Sequence, residues 1–215
     1  VNGRMSEKSF KRYKSVLPLV KDVFSKFDFI ICQGADDLKR FVDLGVNRTK
    51  IKEDFSFKFD SIETGYEKNS SIKNTKKDFK VIICASTHDP EEEILVETFY
   101  KINIDKTILI LVPRHPERAQ KIYSKLIQTN KNISLFSKDN FSIDFSKKII
   151  LVDKIGYLEN LFSLADIAFI GGSLIPHGGQ NFLEAVKFSL PISSGKSIYN
   201  FQQIAEDLMK ISILQ

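Results

Sequence analysis

The segment between residues 167 and 184 contains the residue types that bind a phosphate group in an α/β protein. An apolar run stops at Gly171, a glycine-rich loop follows, and a helical pattern begins at Asn181. A strand, a glycine-rich turn and a helix start present free backbone N–H groups to an anion, and the helix dipole favours negative charge there. Glu184, about one helical turn further on, is within reach of a ribose hydroxyl beside such a phosphate. The segment therefore predicts a site for a phosphate-bearing nucleotide.

All three histidines of the chain follow predicted strands. Ligands of open parallel sheets bind at the carboxyl ends of the strands, so we expect these imidazoles on one edge. They either line a pocket for an anionic ligand or hydrogen-bond their own loops, and both interpretations stay open. A zinc site is disfavoured because no cysteine cluster accompanies the histidines. The candidate pocket residues in these loops are Ser86, Thr87, His88, His115, Gly172, Ser173, His177 and Gly179.

Arg114 directly follows another apolar run. Its guanidinium can hold a phosphate through two parallel hydrogen bonds or stack on a base. The alternative is an exposed arginine paired with Glu117.

Three consecutive glutamates, residues 91–93, follow Asp89 and Pro90. A helix dipole favours acidic residues in the first turn, so the sequence predicts helix capping rather than catalysis for them.

Several common nucleotide and hydrolase motifs are missing from the sequence. There is no Gly-x-x-x-x-Gly-Lys-Ser/Thr loop, no Gly-x-Ser-x-Gly elbow and no strict Gly-x-Gly-x-x-Gly turn. A P-loop triphosphatase is therefore disfavoured, and the predicted site is of another nucleotide-binding kind.

The composition is that of a folded, soluble protein. The chain has 215 residues, of which 42% are hydrophobic and 27% charged, enough for one large or two modest domains. Its net charge is +5, but the 32 basic residues are dispersed among 27 acidic ones. That dispersal disfavours a nucleic-acid groove, whereas an anionic lipid surface needs only a modest positive potential.

The two cysteines, Cys32 and Cys84, each end an apolar run. This placement predicts buried free thiols in a reducing compartment. No apolar run approaches the roughly 20 residues of a transmembrane helix. The chain starts without methionine and stops inside a helical pattern, so we expect both ends to be interrupted.

Apolar periodicity predicts an α/β fold. The alternation of buried strands with helices after residue 79 indicates a Rossmann-like parallel sheet, and residues 29–57 resemble a β-α-β tail of a second unit. A polar stretch at 62–78 predicts a linker between residues 1–61 and 79–215. Strands are predicted at 29–32, 51–57, 80–85, 107–112, 133–136, 149–152, 167–170 and 190–193. Helices are predicted at 6–27 with a break near Pro18, and at 35–44, 90–102, 116–128, 156–163, 181–188 and 200–211.

Five motifs in order resemble the 3-deoxy-D-manno-octulosonic acid (Kdo) transferase family, and the resemblance runs essentially end to end. They are Arg-Met-Ser-Glu-Lys-Ser-Phe at 4–10, Phe-Lys-Phe-Asp at 57–60, Ala-Ser-Thr-His-Asp-Pro-Glu-Glu-Glu at 85–93, Leu-Val-Pro-Arg-His-Pro-Glu-Arg at 111–118 and the glycine-rich segment at 169–184.

The resemblance implies a GT-B glycosyltransferase of lipopolysaccharide core biosynthesis, with two Rossmann-like domains. Residues 1–61 would be the last part of the acceptor domain, and residues 79–215 the nucleotide-sugar (donor) domain, truncated at its C-terminus. Such an enzyme transfers Kdo from CMP-Kdo to a lipid A precursor (lipid IVA) by direct displacement with inversion. It needs no metal or other cofactor, has no nucleic-acid partner, and works at the cytoplasmic face of the inner membrane of a Gram-negative bacterium.

The resemblance also implies roles for individual residues. Lys58 corresponds to a lysine that stabilises the transition state, the alternative being a solvated lysine at a strand end. The general base, a glutamate, and the membrane anchor would lie outside this chain, which alone would be inactive. The residues that would contact the CMP moiety are Pro113, Arg114, Ile155, Gly156, Tyr157, Asn181, Phe182, Leu183 and Glu184.

Four positions depart from the family's pattern. Phe55 and Pro90 replace glycines, Tyr157 replaces a glutamate, and Phe182 replaces a proline. Because a side chain or a proline ring restricts the backbone, these changes can alter loop geometry. Two alternatives to an active Kdo transferase remain open. One is a non-catalytic remnant or split-gene product that binds a CMP-sugar or a partner chain, and the other is a different GT-B enzyme such as an epimerase.

Overall fold

The computed structural model describes residues 3–32, 34–54, 78–129, 132–139 and 141–215. The chain divides into two compact units, residues 1–63 and 64–215. Lys58, Phe55 and the predicted linker at 62–78, apart from Asp78, lie outside the described residues.

The first unit is a small parallel β-α-β arrangement preceded by two helices. Strands β1 (Ile30–Cys32) and β2 (Ile51–Glu53) pair in parallel across helix α3 (Ala35–Asp43). Helices α1 (Glu7–Ser15) and α2 (Leu17–Ser25) are separated at Val16. The predicted break near Pro18 is confirmed, since Pro18 lies in the first turn of α2, where its missing N–H leaves no hydrogen bond unmade.

The second unit is a six-stranded sheet in which every neighbouring pair is parallel. Its strand order is β5-β6-β4-β3-β7-β8. The strands are β3 (Lys80–Thr87), β4 (Thr107–Pro113), β5 (Ile133–Leu135), β6 (Ile149–Leu151), β7 (Ile167–Ile170) and β8 (Ile192–Ser194). The helices are α4 (Glu91–Ile102), α5 (Ala119–Ile127), α6 (Leu158–Leu164), α7 (Leu183–Val186) and α8 (Gln202–Lys210).

Continuous apolar strands explain why the sheet is covered on both faces. Leu109 and Leu111 of β4 pack into one cluster with side chains of α4 and α5. In β3, Cys84 belongs to this cluster. Val81, Ile83 and Ala85 alternate with it along the strand, so they point to the opposite face of the sheet, and they are buried there. The predicted α/β class, with a Rossmann-like sheet after a β-α-β tail, is confirmed.

The order of the strands creates a crevice beside β3. The chain leaves β3 for β4 on one side and later returns to β7 on the other side. Loops that leave the carboxyl ends of β3 and β7 therefore diverge, and in open parallel sheets this is where ligands bind.

Both cysteines are free and buried, as predicted. Burial, with added repulsion from Asp37 and Glu53, raises the pKa of the Cys32 thiol to about 11. Burial and the nearby Glu91 carboxylate also raise the pKa of Cys84. Within the described ranges, every helix falls short of the length and apolar character needed to cross a membrane.

The core of the second unit predicts a clear contrast between two isoleucines. Ile110 of β4 is fully buried, whereas Ile94 of α4 is 42% exposed. Ile110→Ala should lower the free energy of unfolding by about 2–5 kcal/mol because it removes methylene groups and leaves a cavity. Ile94→Ala, the matched control, should cost less than about 1 kcal/mol. Equal denaturation midpoints for the two variants would contradict the placement of β4 at the centre of the sheet.

Candidate functional site

The ends of β3 and β7 approach each other closely at Gly171. A Cβ at Gly171 would lie 2.6 Å from both the Ser86 carbonyl oxygen and the Thr87 Cα. The Gly171 amide donates to the Ala85 carbonyl at 2.8 Å. Only glycine fits this contact, so the glycine-rich turn begins where two strands need to touch.

The glycine-rich turn already binds an anion, the carboxylate of Glu91. One carboxylate oxygen accepts from the amide of Gly172 at 2.7 Å, and the other accepts from the amides of Ser173 and Leu174 at 2.9 Å. The His88 amide donates to the same carboxylate at 2.9 Å. Glu91 is fully buried. The amides of Gly172, Ser173 and Leu174 are therefore occupied by an internal carboxylate, and the phosphate site predicted at the helix start after Asn181 stays a prediction.

Ser173 and Gly179 also serve the turn itself. The Ser173 hydroxyl donates to the Ile170 carbonyl at 2.6 Å and accepts from the Gly195 amide at 2.8 Å. Gly179, with φ of +79°, donates its amide to the Gly172 carbonyl at 2.7 Å. These contacts shape the loop, and the Ser173 side chain is buried.

All three glutamates lie in the first turn of α4, as predicted, but Glu92, like Glu91, is also buried, which the sequence did not indicate. The Arg118 guanidinium donates to both Glu92 oxygens, at 3.0 and 3.1 Å. The Thr87 hydroxyl donates to Glu92 at 2.9 Å. Thr87 is thus a buried partner of Glu92. Glu93, at the surface, pairs with Lys125.

The three histidines come together above this buried network. The ring centroids of His88 and His177 are 4.1 Å apart, and those of His88 and His115 are 6.0 Å apart. Gln180 Nε2 lies 3.0 Å from His88 Nε2. The expectation that the histidines share one edge is confirmed by these distances. We call His88, His115 and His177 the histidine cluster.

Burial lowers the pKa of His88, and the neighbouring His177, His115 and Arg118 lower it further against the opposing effect of Glu91. His115 and His177 are exposed. Gly172, whose φ is +67°, lies beneath the cluster, where an added Cβ would be 3.3 Å from His177 Cδ2. The glycine therefore makes room for the imidazole stacked on it.

Arg114 is exposed at the end of β4. Its amide donates to the Thr87 carbonyl at 3.0 Å, which fixes the loop beside the histidine cluster. The guanidinium forms no ion pair with any described residue, and Glu117 instead lies 3.4 Å from His115 Nδ1. The alternative pairing of Arg114 with Glu117 is therefore wrong, and the guanidinium is available for a ligand. Pro113, the last residue of β4, is buried and positions it.

The loop after β6 presents an apolar platform. Ile155 is 84% exposed, and Gly156 adopts a φ of +97° with open space around its Cα. Tyr157 stacks on Phe141, with centroids 5.3 Å apart and planes 3° from parallel, and meets Phe136 edge-on at 5.1 Å. Sequence reasoning missed Phe141 and Phe136. They come from a separate loop with no motif of its own, so no local signal pointed to them.

The start of α7 differs from the predicted helix at 181–188. Asn181 Oδ1 accepts from the Leu183 amide at 3.1 Å, and the helix spans only Leu183–Val186. Phe182 and Leu183 are buried, so they can offer a ligand only their backbone. Glu184 is partly exposed and makes no hydrogen bond or ion pair with a described residue. Asn181 and Glu184 are the side chains of this segment that can reach a ligand.

Within the described part of the chain, no three His, Cys, Asp or Glu side chains are arranged to hold a metal ion.

The chain is similar to known 3-deoxy-D-manno-octulosonic acid (Kdo) transferases. The family profile described as 3-deoxy-D-manno-octulosonic-acid transferase (kdotransferase) matches residues 1–61. The crystal structure of the C-terminal CMP-Kdo binding domain of WaaA from Acinetobacter baumannii is 33% identical, with a TM-score of 0.60, over 66% of this chain and 75% of that chain. The chain belongs to the Kdo transferase family.

Two full-length relatives show how much of a Kdo transferase the chain represents. The 3-deoxy-D-manno-octulosonic acid transferase of Haemophilus influenzae is 32% identical over 98% of this chain and 50% of its own length. A bifunctional glycosyltransferase/methyltransferase of Fusobacterium nucleatum is 35% identical over 99% of this chain and 34% of its own length. The chain thus spans between a third and half of the curated relatives that it matches.

The buried network of this Kdo transferase chain predicts a large effect at Glu91. Glu91→Gln replaces one acceptor oxygen by an N–H₂ group facing backbone N–H groups. We expect the free energy of unfolding to fall by about 2–4 kcal/mol. Glu93→Gln, the matched control on the same helical turn, should cost at most about 0.5 kcal/mol because its ion pair is solvated. Urea denaturation of both variants gives the comparison, and equal losses would show that the glycine-rich turn does not depend on Glu91.

Proposed function

We propose that the chain is the donor-binding part of a Kdo transferase, which transfers Kdo from CMP-Kdo to a lipid A precursor. The observation that carries the proposal is the meeting of three loops at one sheet edge. The loops after β3, β4 and β7 place the histidine cluster beside the backbone of Arg114. The solved WaaA relative, described as a CMP-Kdo binding domain, supports CMP-Kdo as the donor.

The parts of the proposed donor have matching groups on the protein. The guanidinium of Arg114 can hold the phosphate through two hydrogen bonds. The Glu184 carboxylate can accept hydrogen bonds from ribose hydroxyls. Ile155, Gly156 and the Tyr157–Phe141 stack form a platform of the kind on which a base packs. Apart from Phe141, the residues in these assignments are ones that the family resemblance gives to CMP binding.

The proposed reaction is a direct displacement with inversion. A hydroxyl oxygen of the acceptor attacks the anomeric carbon of Kdo, and the bond from that carbon to the phosphate oxygen breaks. CMP leaves with the electron pair, and a general base outside residues 1–215 takes the hydroxyl proton. Arg114, with Lys58 in its proposed role, offsets the charge that develops on the departing phosphate. No metal or cofactor is required by this scheme, and the two Rossmann-like domains would adopt the GT-B arrangement.

The lipid acceptor and the membrane surface are supported by an apolar groove in the first unit. The groove has a volume of about 530 Å³, and its lining includes Tyr13, Val16, Leu19, Val23, Phe27 and Phe29. These six side chains are 43% to 67% exposed. Contiguous exposed apolar patches are uncommon on soluble proteins and often mark a site of interaction. Lys8, Arg12 and Lys14 are exposed on α1, the helix that contributes Tyr13 to the lining. The acyl chains of a lipid A precursor would pack against the apolar groove, and its anionic headgroups would contact the basic side chains.

CMP binding tests the donor assignment. Arg114→Ala and Glu184→Ala should each weaken the binding of CMP to the 215-residue chain by about tenfold, because each loses a hydrogen-bonded contact with a charged group. The exposed residues Arg12 and Glu97 provide matched controls, and Arg12→Ala and Glu97→Ala should bind CMP as the wild type does. Isothermal titration calorimetry measures all five proteins. Undiminished binding by both site variants would refute the site assignment.

Vesicle binding tests the lipid assignment separately. Leu19→Asp should reduce binding to vesicles of phosphatidylglycerol and phosphatidylcholine by about tenfold, since it removes apolar contact area and adds a negative charge. Ile211→Asp changes an equally exposed residue of the second unit and should leave vesicle binding unchanged. Sedimentation of the vesicles gives the bound fraction. An equal effect of the two substitutions would contradict a lipid site at the groove.

A further inference from the structure

Among the described residues, no carboxylate forms an ion pair with His88 or His177, the two rings of the cluster that lie closest together. Glu91, whose carboxylate acts electrostatically on His88, is held by the four backbone amides of His88, Gly172, Ser173 and Leu174. All of its accepting positions face amides, so it forms no direct bond to an imidazole. Glu92 is likewise held by Arg118 and Thr87.

The groups around the histidine cluster are mostly cationic or neutral. Arg118 and Arg114 lie on the side of β4, and Gln180 contacts His88 from the β7 loop. Glu117 lies 3.4 Å from His115 Nδ1, but both side chains are exposed. Two imidazolium rings 4.1 Å apart would repel each other. In the absence of a ligand the inner ring, His88, is therefore disposed to remain neutral, in agreement with its lowered pKa.

The bond between Gln180 and His88 indicates how the cluster can change state. With Gln180 Nε2 as the donor, His88 Nε2 accepts, and a neutral His88 carries its proton on Nδ1. A protonated His88 would have donors on both nitrogens, and a rotation of the Gln180 amide would present its oxygen instead. The amide can thus satisfy either protonation state.

We propose that His88, His115 and His177 form a proton-linked binding site for an oxyanion of the donor. An arriving carboxylate or phosphodiester oxygen supplies the negative charge that the cluster lacks, and one imidazole binds a proton from water as the oxyanion arrives. No covalent bond forms or breaks. The inference rests on the proposed function, because the oxyanion is assigned to CMP-Kdo, whose sugar is itself a carboxylic acid.

This arrangement would couple donor binding to pH. An oxyanion next to an imidazole stabilises its charged form and raises its pKa. Binding is then strongest when the cluster carries the proton, and it weakens as the pH rises above the raised pKa. The phosphodiester and the sugar carboxylate of CMP-Kdo do not titrate near neutrality, so a pH dependence of its binding belongs to the protein.

Nuclear magnetic resonance offers a direct test because the chain has only three histidines. Ring nitrogen signals are recorded through a pH titration of the 215-residue chain alone, with cytidine, with CMP and with CMP-Kdo. We expect CMP-Kdo to raise the pKa of at least one ring by about one unit, and its affinity to be about tenfold higher at pH 6 than at pH 8. Cytidine, which has neither oxyanion, should leave the ring signals unshifted. A shift with CMP as well identifies the phosphate as the ligand, and a shift with CMP-Kdo alone identifies the sugar carboxylate.

Two variants of the exposed His177 separate charge from structure. His177→Gln should weaken CMP-Kdo binding at pH 6 by about tenfold and flatten its pH dependence. His177→Arg places a permanent cation there and should restore the affinity without proton uptake, which is measured by calorimetry in buffers of different ionisation enthalpy.

Two results overturn the proposal in distinguishable ways. If CMP binds in an Arg114-dependent manner while CMP-Kdo binding is independent of pH and shifts no histidine signal, the histidine cluster is not the oxyanion site. If neither CMP nor CMP-Kdo binds, the proposed function fails, and this inference fails with it.

Discussion

The candidate site depends on one buried carboxylate. Glu91 accepts four backbone hydrogen bonds, from His88 at the end of β3 and from Gly172, Ser173 and Leu174 after β7. A charge without solvent is tolerated only when such partners surround it. The carboxylate thereby joins the start of α4 to two loops from neighbouring strands. It holds these loops in the positions that bring His88 and His177 into contact.

Glu91 fills a place that α/β folds often give to a ligand. The turn after β7 has backbone N–H donors of the kind that bind a phosphate, but these donors bind the Glu91 carboxylate instead. The groups that we propose to contact the donor are therefore side chains, not the backbone amides of this turn. They are the histidine cluster, Arg114, the Tyr157–Phe141 stack and Glu184.

The sequence predicted the architecture well because its signals are local and periodic. Each apolar run became a strand, β7 kept its predicted bounds, and loops with polar residues gathered at the carboxyl edge. The five motifs also identified the family. The helix predicted at 181–188 spans only Leu183–Val186, and Asn181 Oδ1 accepts from the Leu183 amide at its start, a side-chain contact that hydrophobic periodicity does not report.

The buried partnerships of the site were beyond sequence reasoning. An acidic residue after a proline suits a helix start, and nothing local distinguishes the buried Glu91 and Glu92 from the solvated Glu93. Their partners are Gly172, more than eighty positions away, and Arg118 in another loop. Phe141 in the loop before β6 likewise stacks on Tyr157 in the loop after β6. Such contacts follow from tertiary packing, which sequence patterns do not report. The proposed role of Lys58 rests on the family resemblance alone.

Mapping of backbone amide shifts during a CMP titration tests the central claim most directly, namely that the carboxyl edge of the second unit binds the nucleotide above an intact Glu91 network. The account predicts the largest shifts at residues 113–115, 155–157 and 181–184, with the amides of Gly172, Ser173 and Leu174 still hydrogen-bonded to Glu91. Largest shifts on another face of the sheet, or release of Glu91 from those amides by CMP, would contradict it.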